Sequence, residues 1–486
     1  MPEPSKVSIQ EPPLNVLVLY DHISTYTTTV KEYLESFLLY SKHRIFYAAA
    51  TSGNHAPPTT VDLSLFDVVI IHYSVRLCYD WHILPVYAKA VARFDGLKML
   101  FIQDEYDHTD LARQWMKKLG INVVFTCVPE QFIEQVYPSA LLPKVDFIPV
   151  LTGYAPLPNA KFSSHKPFAE RKYVIGYRGR RLPFHYGDLA REKSFIGQEM
   201  RRICEARGIS VNIEWEEIKR IYGDKWYAFL RDCRATLGTE GGSNVFDFNG
   251  TLKSDVDNAL KKKPDLSYEE IHHHFLAKHE GNVRMNQISP RIFEAIALRT
   301  VLVLFEGDYS GVVKPNLHYI LLKKDFSNVD QVLEKLLDDC YLEELTECAY
   351  RDIIESGNYS YRGFVQMVDA QIDRRVKTAK NSAILTGVVA FRRNIEETWQ
   401  LVAVQPESPV VSMFTSQPIG QSESPPPGTG RLGGLRYRYQ IVVMNLFNYA
   451  SKLRVEHPRL YVIVRAIYRG MQTVWKIMNR LLMRSK

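Results

Sequence analysis

Strand and helix patterns alternate along this chain in two successive runs, and this alternation constrains the fold more than any other feature. Strands that alternate with helices form a parallel sheet with helices on its faces. In the first run, short apolar segments of the kind found in buried strands are separated by helical patterns. These apolar segments begin at residues Asn15, His43, Phe66, Leu97 and Asn122. We therefore predict that residues 15–155 form a Rossmann-like, doubly wound domain.

The alternation restarts after a proline-containing loop at about residues 151–171. The strand candidates of the second run are Tyr173–Gly176, Val211–Trp215, Ala235–Gly238, Val301–Phe305 and Tyr319–Leu322. Residues 172–378 are therefore predicted to form a second Rossmann-like domain. Two such domains joined by a short linker imply a cleft, which the carboxyl ends of the strands should face. The predicted fold class is α/β, with two Rossmann-like doubly wound domains facing a cleft and a basic helical tail after them.

Three further segments lie outside the two predicted domains. Residues 1–14 are polar and rich in proline, so we expect a disordered N-terminus and no secretory signal. Residues 405–434 combine proline, serine and glycine, which is typical of a flexible linker. Residues 435–486 are predicted to form a basic amphipathic tail. No stretch of about 18 uncharged apolar residues occurs, so we expect no membrane-spanning helix.

Positive charge is concentrated near the end of the sequence. The protein carries 61 Lys and Arg residues against 54 Asp and Glu residues. Residues 431–486 alone hold twelve Lys or Arg residues and one acidic residue, Glu456. A nucleic-acid enzyme usually carries its positive field around its site, so this distribution argues against a nucleic-acid partner. Basic residues mixed with Trp475 and leucines favour an anionic membrane surface, where each basic side chain contributes about 1 kcal/mol.

The cysteines bear on the compartment. Six cysteines are spread along the chain without a CxxC pair, which fits a reducing environment. Together with the basic tail, this predicts a cytoplasmic protein that lies peripherally on the inner face of the membrane. A helix that docks on a partner protein is the alternative reading of the tail.

The segment Ser289-Pro290-Arg291 carries the local signals of a helix start. Serine is a favourable N-cap and proline a favourable first helical residue. A helix N-terminus with Ser289 and Arg291 suits a phosphate group. Glu294 follows about one turn later in an apolar segment, where a carboxylate is costly unless something pairs with it. These residues together predict a nucleotide site, with Glu294 in reach of a sugar hydroxyl.

A basic loop follows the first strand of the second run. Its glycines let the backbone approach a ligand closely, and Arg178, Arg180 and Arg181 supply the charge that a diphosphate needs. Lys193, twelve residues beyond Arg181, joins them in this interpretation. The alternative is a solvated basic loop, and the motif around Glu294 favours the diphosphate.

A glycine-rich loop follows the strand Ala235–Gly238. Glu240 is its polar tip, and Gly241, Gly242 and Asn244 complete a loop of a kind that wraps a ligand. It matches neither a P-loop nor a GxGxxG fingerprint, so it supports neither a nucleotide triphosphatase nor a dehydrogenase. An ordinary turn between a strand and a helix is the alternative.

Ionisable residues also end the fourth strand of the first run. Four ionisable residues, Asp104, Glu105, Asp107 and His108, are expected to face the cleft, where they are candidates for acid–base catalysis or for binding an acceptor. The alternative role of an aspartate here is a helix N-cap.

Two patterns have the letters of a metal site, and both are better explained as solvated helix faces. Asp255 and Asp257 stand among lysines, which is typical of a surface helix. His272–His274 and His279 could share an ion only in part, because adjacent histidines on a helix point in different directions. We therefore expect no bound metal.

These motifs resemble the nucleotide-sugar domain of GT-B glycosyltransferases, in the broad "group 1" set of mostly retaining enzymes. The resemblance covers about residues 15–375. Its motifs are Tyr173–Arg181, Gly238–Asn244, Ser289–Gly307 and Tyr309–Asp325. It implies that Glu294 contacts the nucleotide ribose and that the basic residues contact the diphosphate. It also implies a nucleotide diphosphate sugar as donor substrate, with no further cofactor and no metal.

One position departs from the family pattern. Members often carry two glutamates eight positions apart, whereas here Asn286 stands eight residues before Glu294. A long insertion separates the strand Ala235–Gly238 from the Ser289 helix. By the resemblance, Glu240 stands in for the sugar-contacting glutamate, with Asn244 beside it.

The sequence therefore predicts a glycosyltransferase that moves a sugar from a nucleotide sugar to an acceptor held by the first domain. The resemblance and the basic tail suggest a glycan or lipid-linked glycan as acceptor, in cell-surface polysaccharide synthesis. Three alternatives stay open. A nucleotide-sugar epimerase of the same fold would act on the donor without an acceptor, and a non-catalytic scaffold would bind no nucleotide diphosphate. A nucleic-acid binder would use the basic tail and would show DNA binding that depends steeply on salt.

Overall fold

The structure is a computed structural model that describes residues 13–51, 61–158, 162 and 165–376, and the backbone of 389–393 and 399–403. Most of the segment 1–14, the linker 405–434 and the tail 435–486 lie outside the described residues, so the sequence-based expectations for them remain predictions. Within the described part of the chain, no helix combines the length and the apolar character needed to cross a membrane.

The first domain is built on a sheet of six parallel strands. They are β1 (Asn15–Tyr20), β2 (Arg44–Ala49), β3 (Val68–Ile71), β4 (Leu97–Phe101), β5 (Val123–Thr126) and β6 (Asp146–Pro149). Their order in the sheet is β2-β1-β3-β4-β5-β6. Alternate residues of a strand point to opposite faces, so Leu17 and Leu19 enter one hydrophobic core while Val16 and Val18 enter the other.

Helices cover both faces of this sheet. They are α1 (Thr28–Tyr40), α2 (Pro85–Arg93), α3 (Thr109–Leu119) and α4 (Ile133–Val136). Pro85 lies in the first turn of α2, where its missing N–H leaves no hydrogen bond unmade. Gly120 ends α3 in the left-handed conformation that favours glycine.

The second domain contains a sheet of five parallel strands. They are β7 (Tyr173–Arg178), β8 (Val211–Glu214), β9 (Cys233–Gly238), β10 (Val301–Phe305) and β11 (Ile320–Leu322). Their order is β11-β10-β9-β7-β8. A separate antiparallel pair is formed by β12 (Val389–Arg393) and β13 (Trp399–Ala403).

Eight helices belong to the described part of the chain after residue 171. They are α5 (Gly187–Ala206), α6 (Asp224–Arg231), α7 (Thr251–Lys262), α8 (Tyr268–Ile271), α9 (Pro290–Ala297), α10 (Val329–Lys335), α11 (Asp339–Tyr350) and α12 (Tyr361–Arg375). A π-helical turn, His272–Leu276, continues α8. Helix α9 begins at the Ser289-Pro290 pair, as predicted.

Helix α12 packs on the first domain rather than on the second. Its Tyr361 and Phe364 join the core formed by Tyr33 and Phe37 of α1. The carboxylate of Asp369 accepts hydrogen bonds from the residues that follow α1. The chain therefore returns from the second domain to the first. In its packing, α12 belongs with residues 15–155, although the sequence-based prediction places it in the domain of residues 172–378.

The two parallel sheets confirm the predicted fold class of two Rossmann-like domains. In each sheet the strand order reverses at one point, between β1 and β3 and between β7 and β9. Ligands of doubly wound domains bind outside the carboxyl ends of the strands at such a switch point. The loops that follow β7 and β9 are therefore the first place to look for a ligand site.

Candidate active site

Two loops meet at the switch point of the second sheet. The loop after β7 contains Gly179 and Arg180, and the loop after β9 contains Glu240. A Cβ atom at Gly179 would lie 2.7 Å from the carbonyl oxygen of Lys193 in α5. Glycine at position 179 therefore allows this loop and α5 to approach each other closely, which brings Arg180 near Lys193.

Lys193 lies half-buried in the cleft among other charged groups. Its backbone carbonyl accepts a hydrogen bond of 2.8 Å from the hydroxyl of Tyr177, which fixes this turn of α5 against β7. Burial, together with the positive charges of Arg180 and Arg291, lowers the pKa of the Lys193 ammonium group to about 8. The carboxylate of Asp104, in the first domain, acts in the opposite direction.

Arg291 is held at the start of α9 and points back toward β7. Its Nη1 donates a hydrogen bond of 2.6 Å to the carbonyl of Arg178, and its guanidinium lies 5.1 Å from the ring centre of Trp226. The side chain of Ser289 makes no capping hydrogen bond. We call Arg180, Lys193 and Arg291 the cationic cluster.

The cationic cluster of the second domain thus faces Asp104 of the first domain across the cleft. Oδ1 of Asp104 accepts a hydrogen bond of 3.1 Å from the hydroxyl of Tyr106, and Oδ2 lies 3.6 Å from Nη2 of Arg76. Charged side chains from two facing Rossmann-like domains therefore converge on one space. The architecture is the GT-B fold.

Comparison with known proteins finds similar structures but no similar sequence. No protein-family model matches the sequence, and no curated protein sequence is significantly similar to it. Solved structures that resemble it include an alpha-glucosyltransferase in complex with UDP-glucose and DNA, with 11% identity and a TM-score of 0.42 over 74% of this chain and 99% of that one. Sucrose-phosphate synthase from Thermosynechococcus elongatus has 10% identity and a TM-score of 0.39 over 74% and 98%.

A third similar structure is TarM of S. aureus in complex with Fondaparinux, alpha-GlcNAc-glycerol and UDP. It has 13% identity and a TM-score of 0.34, and the match covers 63% of this chain and 55% of TarM. The chain therefore spans about half of TarM. At these identities and TM-scores the similarity does not indicate an activity. The activity has to be inferred from the side chains in the cleft.

Glu294 lies inside the second domain, directly behind Arg291. The residue is 6% exposed, and its Oε2 accepts a hydrogen bond of 2.8 Å from the indole Nε1 of Trp226. Burial raises the pKa of Glu294, while the bond from Trp226 and the charge of Arg291 oppose the shift. The structure therefore gives Glu294 a partner that the sequence did not indicate, and its contact with a ribose stays a prediction.

The three arginines predicted to bind phosphate after β7 all have partners within the protein. The guanidinium of Arg178 is buried, donates hydrogen bonds to the carbonyl and side chain of Asn212, and stacks on Phe229. Arg180 and Arg181 are exposed, and each lies 3.8 Å from a glutamate carboxylate, that of Glu217 and that of Glu216. Of the three, Arg180 is placed in the cationic cluster because its charge acts on Lys193.

Glu240 is fixed at the carboxyl end of β9 by three hydrogen bonds. Oε1 accepts from the backbone N–H groups of Asp308 and Tyr309 at 3.0 and 2.8 Å, and Oε2 accepts from the amide of Asn286 at 2.5 Å. A Cβ atom at Gly307 would lie 2.6 Å from the Glu240 carboxyl carbon, so this contact needs glycine there. Asn286, which replaces the glutamate of the family pattern, thus binds the glutamate that we expected to stand in for it.

The glycine-rich loop is paired with the segment that leads into α9. Gly241 and Gln287 exchange backbone hydrogen bonds of 2.6 and 3.1 Å. Gly242 has a φ of +84°, and a Cβ atom there would lie 2.0 Å from the carbonyl oxygen of Met285. Oδ1 of Asn244 accepts from the Met285 N–H at 2.8 Å. The insertion, residues 245–284, therefore leaves the glycine-rich loop after Asn244 and returns to it at Met285.

Glu105 lies in the interior of the first domain. It is 1% exposed, and its Oε1 accepts hydrogen bonds from the hydroxyl of Thr126 and from the backbone N–H of Cys127. Burial raises the pKa of Glu105 to about 8. Among the four ionisable residues predicted to face the cleft, Glu105 instead lies in the interior of the first domain, so we give it no role in the transfer reaction.

His108 lies at the contact between the first domain and the insertion. Its Nδ1 is 2.7 Å from Oδ1 of Asp107, and its backbone N–H donates to the carbonyl of Asp247 at 2.9 Å. This hydrogen bond with Asp107 raises the pKa of His108. The hydroxyls of Tyr79 and Tyr186 donate to the same aspartate at 3.1 and 3.4 Å. The sequence motif that follows β4 included Asp107 among its ionisable residues, but its position at the centre of this network was not predicted.

The structure brings four of the predicted residues together across the cleft: Asp104, Arg180, Lys193 and Arg291. Sequence reasoning missed Trp226 and assigned no role to Asn286. The spacing of eight residues between Asn286 and Glu294 could have pointed to Asn286. No comparable signal marks Trp226, because its contact with Glu294 joins segments 68 residues apart.

Proposed function

We propose that this protein is a glycosyltransferase that moves a sugar from a nucleotide diphosphate sugar to an acceptor bound by the first domain. The cationic cluster at the switch point of the second sheet is the observation that carries the proposal. Three positive side chains beside the N-terminus of α9 match the charge of a diphosphate, which is the part common to all such donors.

The cationic cluster would act mainly on the leaving group. When the bond between the anomeric carbon and the diphosphate oxygen breaks, negative charge grows on the departing diphosphate. Lys193, Arg180 and Arg291 are already in place, and charges fixed in a partly buried site stabilise such a transition state without reorganisation. In this proposal, the side chains of the cationic cluster stabilise the negative charge that develops on the diphosphate.

We assign the remaining donor contacts to two carboxylates. Glu240 stands at the carboxyl end of β9, where Asn286 and two backbone N–H groups fix it, and we assign it to the hydroxyls of the donor sugar. Glu294 lies behind Arg291 and is assigned to the ribose. Asn244 and the glycines Gly241 and Gly242 shape the loop that carries Glu240.

Asp104 is assigned to the acceptor, because it faces the cationic cluster from the first domain. In the transfer step the acceptor oxygen bonds to the anomeric carbon, the bond to the diphosphate breaks, and the acceptor hydroxyl gives up its proton. A carboxylate within reach of that hydroxyl is a suitable general base. The Asp107–His108 pair is the second candidate for this role.

The acceptor class is proposed from the sequence of the tail. Twelve basic residues against one acidic residue in residues 431–486 suit an anionic lipid surface. A glycan or lipid-linked glycan presented at a membrane, as in cell-surface polysaccharide synthesis, fits both this charge and a cleft for nucleotide sugars.

A panel of nucleotide diphosphate sugars tests the proposal. The true donor should raise the melting temperature of the full chain, since a ligand at about 100 times its Kd stabilises the folded state by about 2.7 kcal/mol. Adding glycan acceptors to that donor should then release free nucleoside diphosphate. Conversion of the donor without acceptor would favour an epimerase, and a panel in which no nucleotide sugar stabilises the protein would refute the proposal.

A further inference from the structure

A second cluster of polar side chains lies outside the cleft, where the insertion meets α5. It consists of Asp188 in the first turn of α5, His272 at the start of the π-helical turn and Glu280. One ligand atom from each of these side chains lies within 4.8 Å of the others. None of the three has a role in the proposed transfer reaction.

The side chains of this cluster are already oriented toward one another. Nε2 of His272 is shielded from solvent, has no hydrogen-bond partner among the described residues, and lies 3.8 Å from Oε2 of Glu280. That same oxygen accepts from the backbone N–H of Asp188 at 3.2 Å, and Oδ1 of Asp188 accepts from the hydroxyl of Tyr268 at 2.6 Å. A buried imidazole nitrogen without a partner is the group that an ion would satisfy.

The charge of the cluster is also unbalanced. No Lys or Arg among the described residues forms an ion pair with Asp188 or Glu280. Gly187, with a φ of +72°, would place a Cβ atom 2.2 Å from Oε2 of Glu280, so a glycine is needed for that carboxylate to sit here. Two carboxylates thus lie near one imidazole, and neither forms an ion pair with a Lys or Arg of the described residues.

Another group of possible ligands provides a contrast. His318, Cys348 and Asp352 also lie close together. There, however, the guanidinium of Arg351 donates to both Cys348 and Asp352, at 3.4 and 3.0 Å, and the imidazole of His318 already lies 3.2 Å from Asp352. A positive charge already occupies that group, whereas the cluster at Asp188 has none.

We propose that Asp188, His272 and Glu280 bind a divalent transition-metal ion, with Zn²⁺ as the best fit. This proposal departs from the expectation, drawn from the sequence, that His272 lies on a solvated helix face and that the protein binds no metal. Imidazole nitrogen and carboxylate oxygen are both ligand atoms that zinc binds, whereas Mg²⁺ and Ca²⁺ prefer oxygen ligands alone. Zinc–ligand bonds of about 2.0–2.2 Å place neighbouring ligand atoms roughly 3–4 Å apart, close to the spacing between His272 and Glu280. Tyr268 would orient the Asp188 ligand through its hydrogen bond.

The ion would link the insertion to α5, the helix that carries Lys193 of the cationic cluster. Asp188 begins α5, and Lys193 follows it by five residues in the same helix, while His272 and Glu280 belong to the insertion. A metal bridge at this point would fix the insertion on the second domain. The bridge is structural and takes no part in the transfer step.

The test uses the full chain, stripped of metal, with Zn²⁺ as the probe. Equilibrium dialysis followed by elemental analysis should find one more Zn²⁺ per wild-type chain than per His272→Ala chain. The neighbouring histidines provide matched controls, because His273 and His274 are exposed and adjacent in sequence but outside the cluster. His273→Ala and His274→Ala should bind as much Zn²⁺ as the wild type.

A second measurement guards against misfolding of the His272 variant. Zn²⁺ should raise the melting temperature of the wild type and both control variants but not that of Glu280→Gln or Asp188→Asn, while Mg²⁺ should raise none of them. Equal Zn²⁺ binding in wild type and His272→Ala would overturn the proposal, as would loss of binding in His273→Ala. Binding of a nucleoside diphosphate, measured in the same variants, reports on the cleft separately.

Discussion

At the scale of single residues, the site depends on how burial changes the charges that a donor would meet. Lys193 is held half-buried next to two other cations, and this lowers the pKa of its ammonium group to about 8. A diphosphate would supply the negative charge that this lysine lacks, so donor binding and protonation of Lys193 should be coupled. The coupling can be measured without knowing the acceptor.

The first prediction concerns pH. Lys193 is charged below pH 8 and loses its proton as the pH rises through 8, so donor affinity should be highest below this value. Above it, the Kd for the donor should rise by up to about tenfold per pH unit, measured by calorimetry with a nucleotide sugar. In Lys193→Arg the charge persists, and the slope should disappear. A wild-type Kd that does not change between pH 7 and about 9.5 would contradict this coupling.

The second prediction separates two roles of Glu294. Glu294→Ala leaves the buried indole N–H of Trp226 unpaired, which should lower the free energy of unfolding by about 1–3 kcal/mol. Glu294→Gln keeps an acceptor oxygen for Trp226 and should be nearly as stable as the wild type. If Glu294 also contacts the ribose, Glu294→Gln should weaken donor binding by about tenfold or more, because hydrogen bonds to charged groups contribute about 1.5–3 kcal/mol.

Denaturant unfolding and calorimetry on these two variants give the answer. Glu294→Gln that binds the donor as tightly as the wild type would mean that Glu294 only positions Trp226. In that case the ribose contact would have to be assigned to another side chain.

At the scale of elements, the two domains are joined by more than the linker between them. Helix α12 leaves the second domain and places Phe364 among Tyr33, Phe37 and Tyr154, with ring centres 4.9, 5.9 and 4.6 Å away. The core of the first domain therefore includes α12, a helix that follows the second domain in sequence. Its stability should depend on that helix.

The third prediction tests this dependence. Phe364→Ala removes a side chain that is 3% exposed and should lower the free energy of unfolding by about 3–5 kcal/mol, measured in urea. Gln366→Ala, an exposed position of the same helix, should change it by less than about 0.5 kcal/mol. Equal effects of the two substitutions would contradict the packing of α12 on the first domain.

The elements also show how much of the fold can be predicted from the sequence. Helix α9 was predictable because its signals are local: a serine N-cap, a proline in the first turn and an apolar face. Strand β6 was missed because Asp146–Pro149 is a short edge strand without a continuous apolar run. The pairing of Gly241 with Gln287 was also missed, since it closes an insertion whose ends come together only in the folded chain.

For the candidate site too, some residues could be predicted from the sequence and others could not. Arg180, Lys193 and Arg291 could be named from the residue types that a phosphate needs, and their convergence follows from strand order. Glu105 points inward, and Arg178 bonds to Asn212, because of the face of each element that packs against the core. A group of ionisable residues in the sequence does not show which face that is.

At the scale of the whole molecule, the body and the tail have separate roles in this account. The described domains carry the cleft, while the positive charge of residues 431–486 lies beyond them in the sequence. Because the donor site and the proposed membrane contact lie in different parts of the sequence, removing the tail should abolish membrane binding and leave donor binding intact.

The fourth prediction follows from that separation. The full chain should bind vesicles containing anionic phospholipid, because each basic residue near the surface contributes about 1 kcal/mol, and binding should weaken with added salt. Deletion of residues 405–486 should abolish vesicle binding in a sedimentation assay and leave donor affinity unchanged. Neutral phosphatidylcholine vesicles are the control. Undiminished binding of the truncated protein to anionic vesicles would contradict the role assigned to the tail.

The central claim is that the cationic cluster binds the diphosphate of a donor, and calorimetry with a series of nucleoside diphosphates tests it most directly. The wild type should bind at least one of them, and Lys193→Ala should raise its Kd by about tenfold or more, the equivalent of about 1.4 kcal/mol. Lys172→Ala is the matched control, because this exposed lysine precedes β7 at the end of the strand opposite to the cleft, and it should bind like the wild type. Failure of every nucleoside diphosphate to bind, or equal binding by the wild type and Lys193→Ala, would contradict the account.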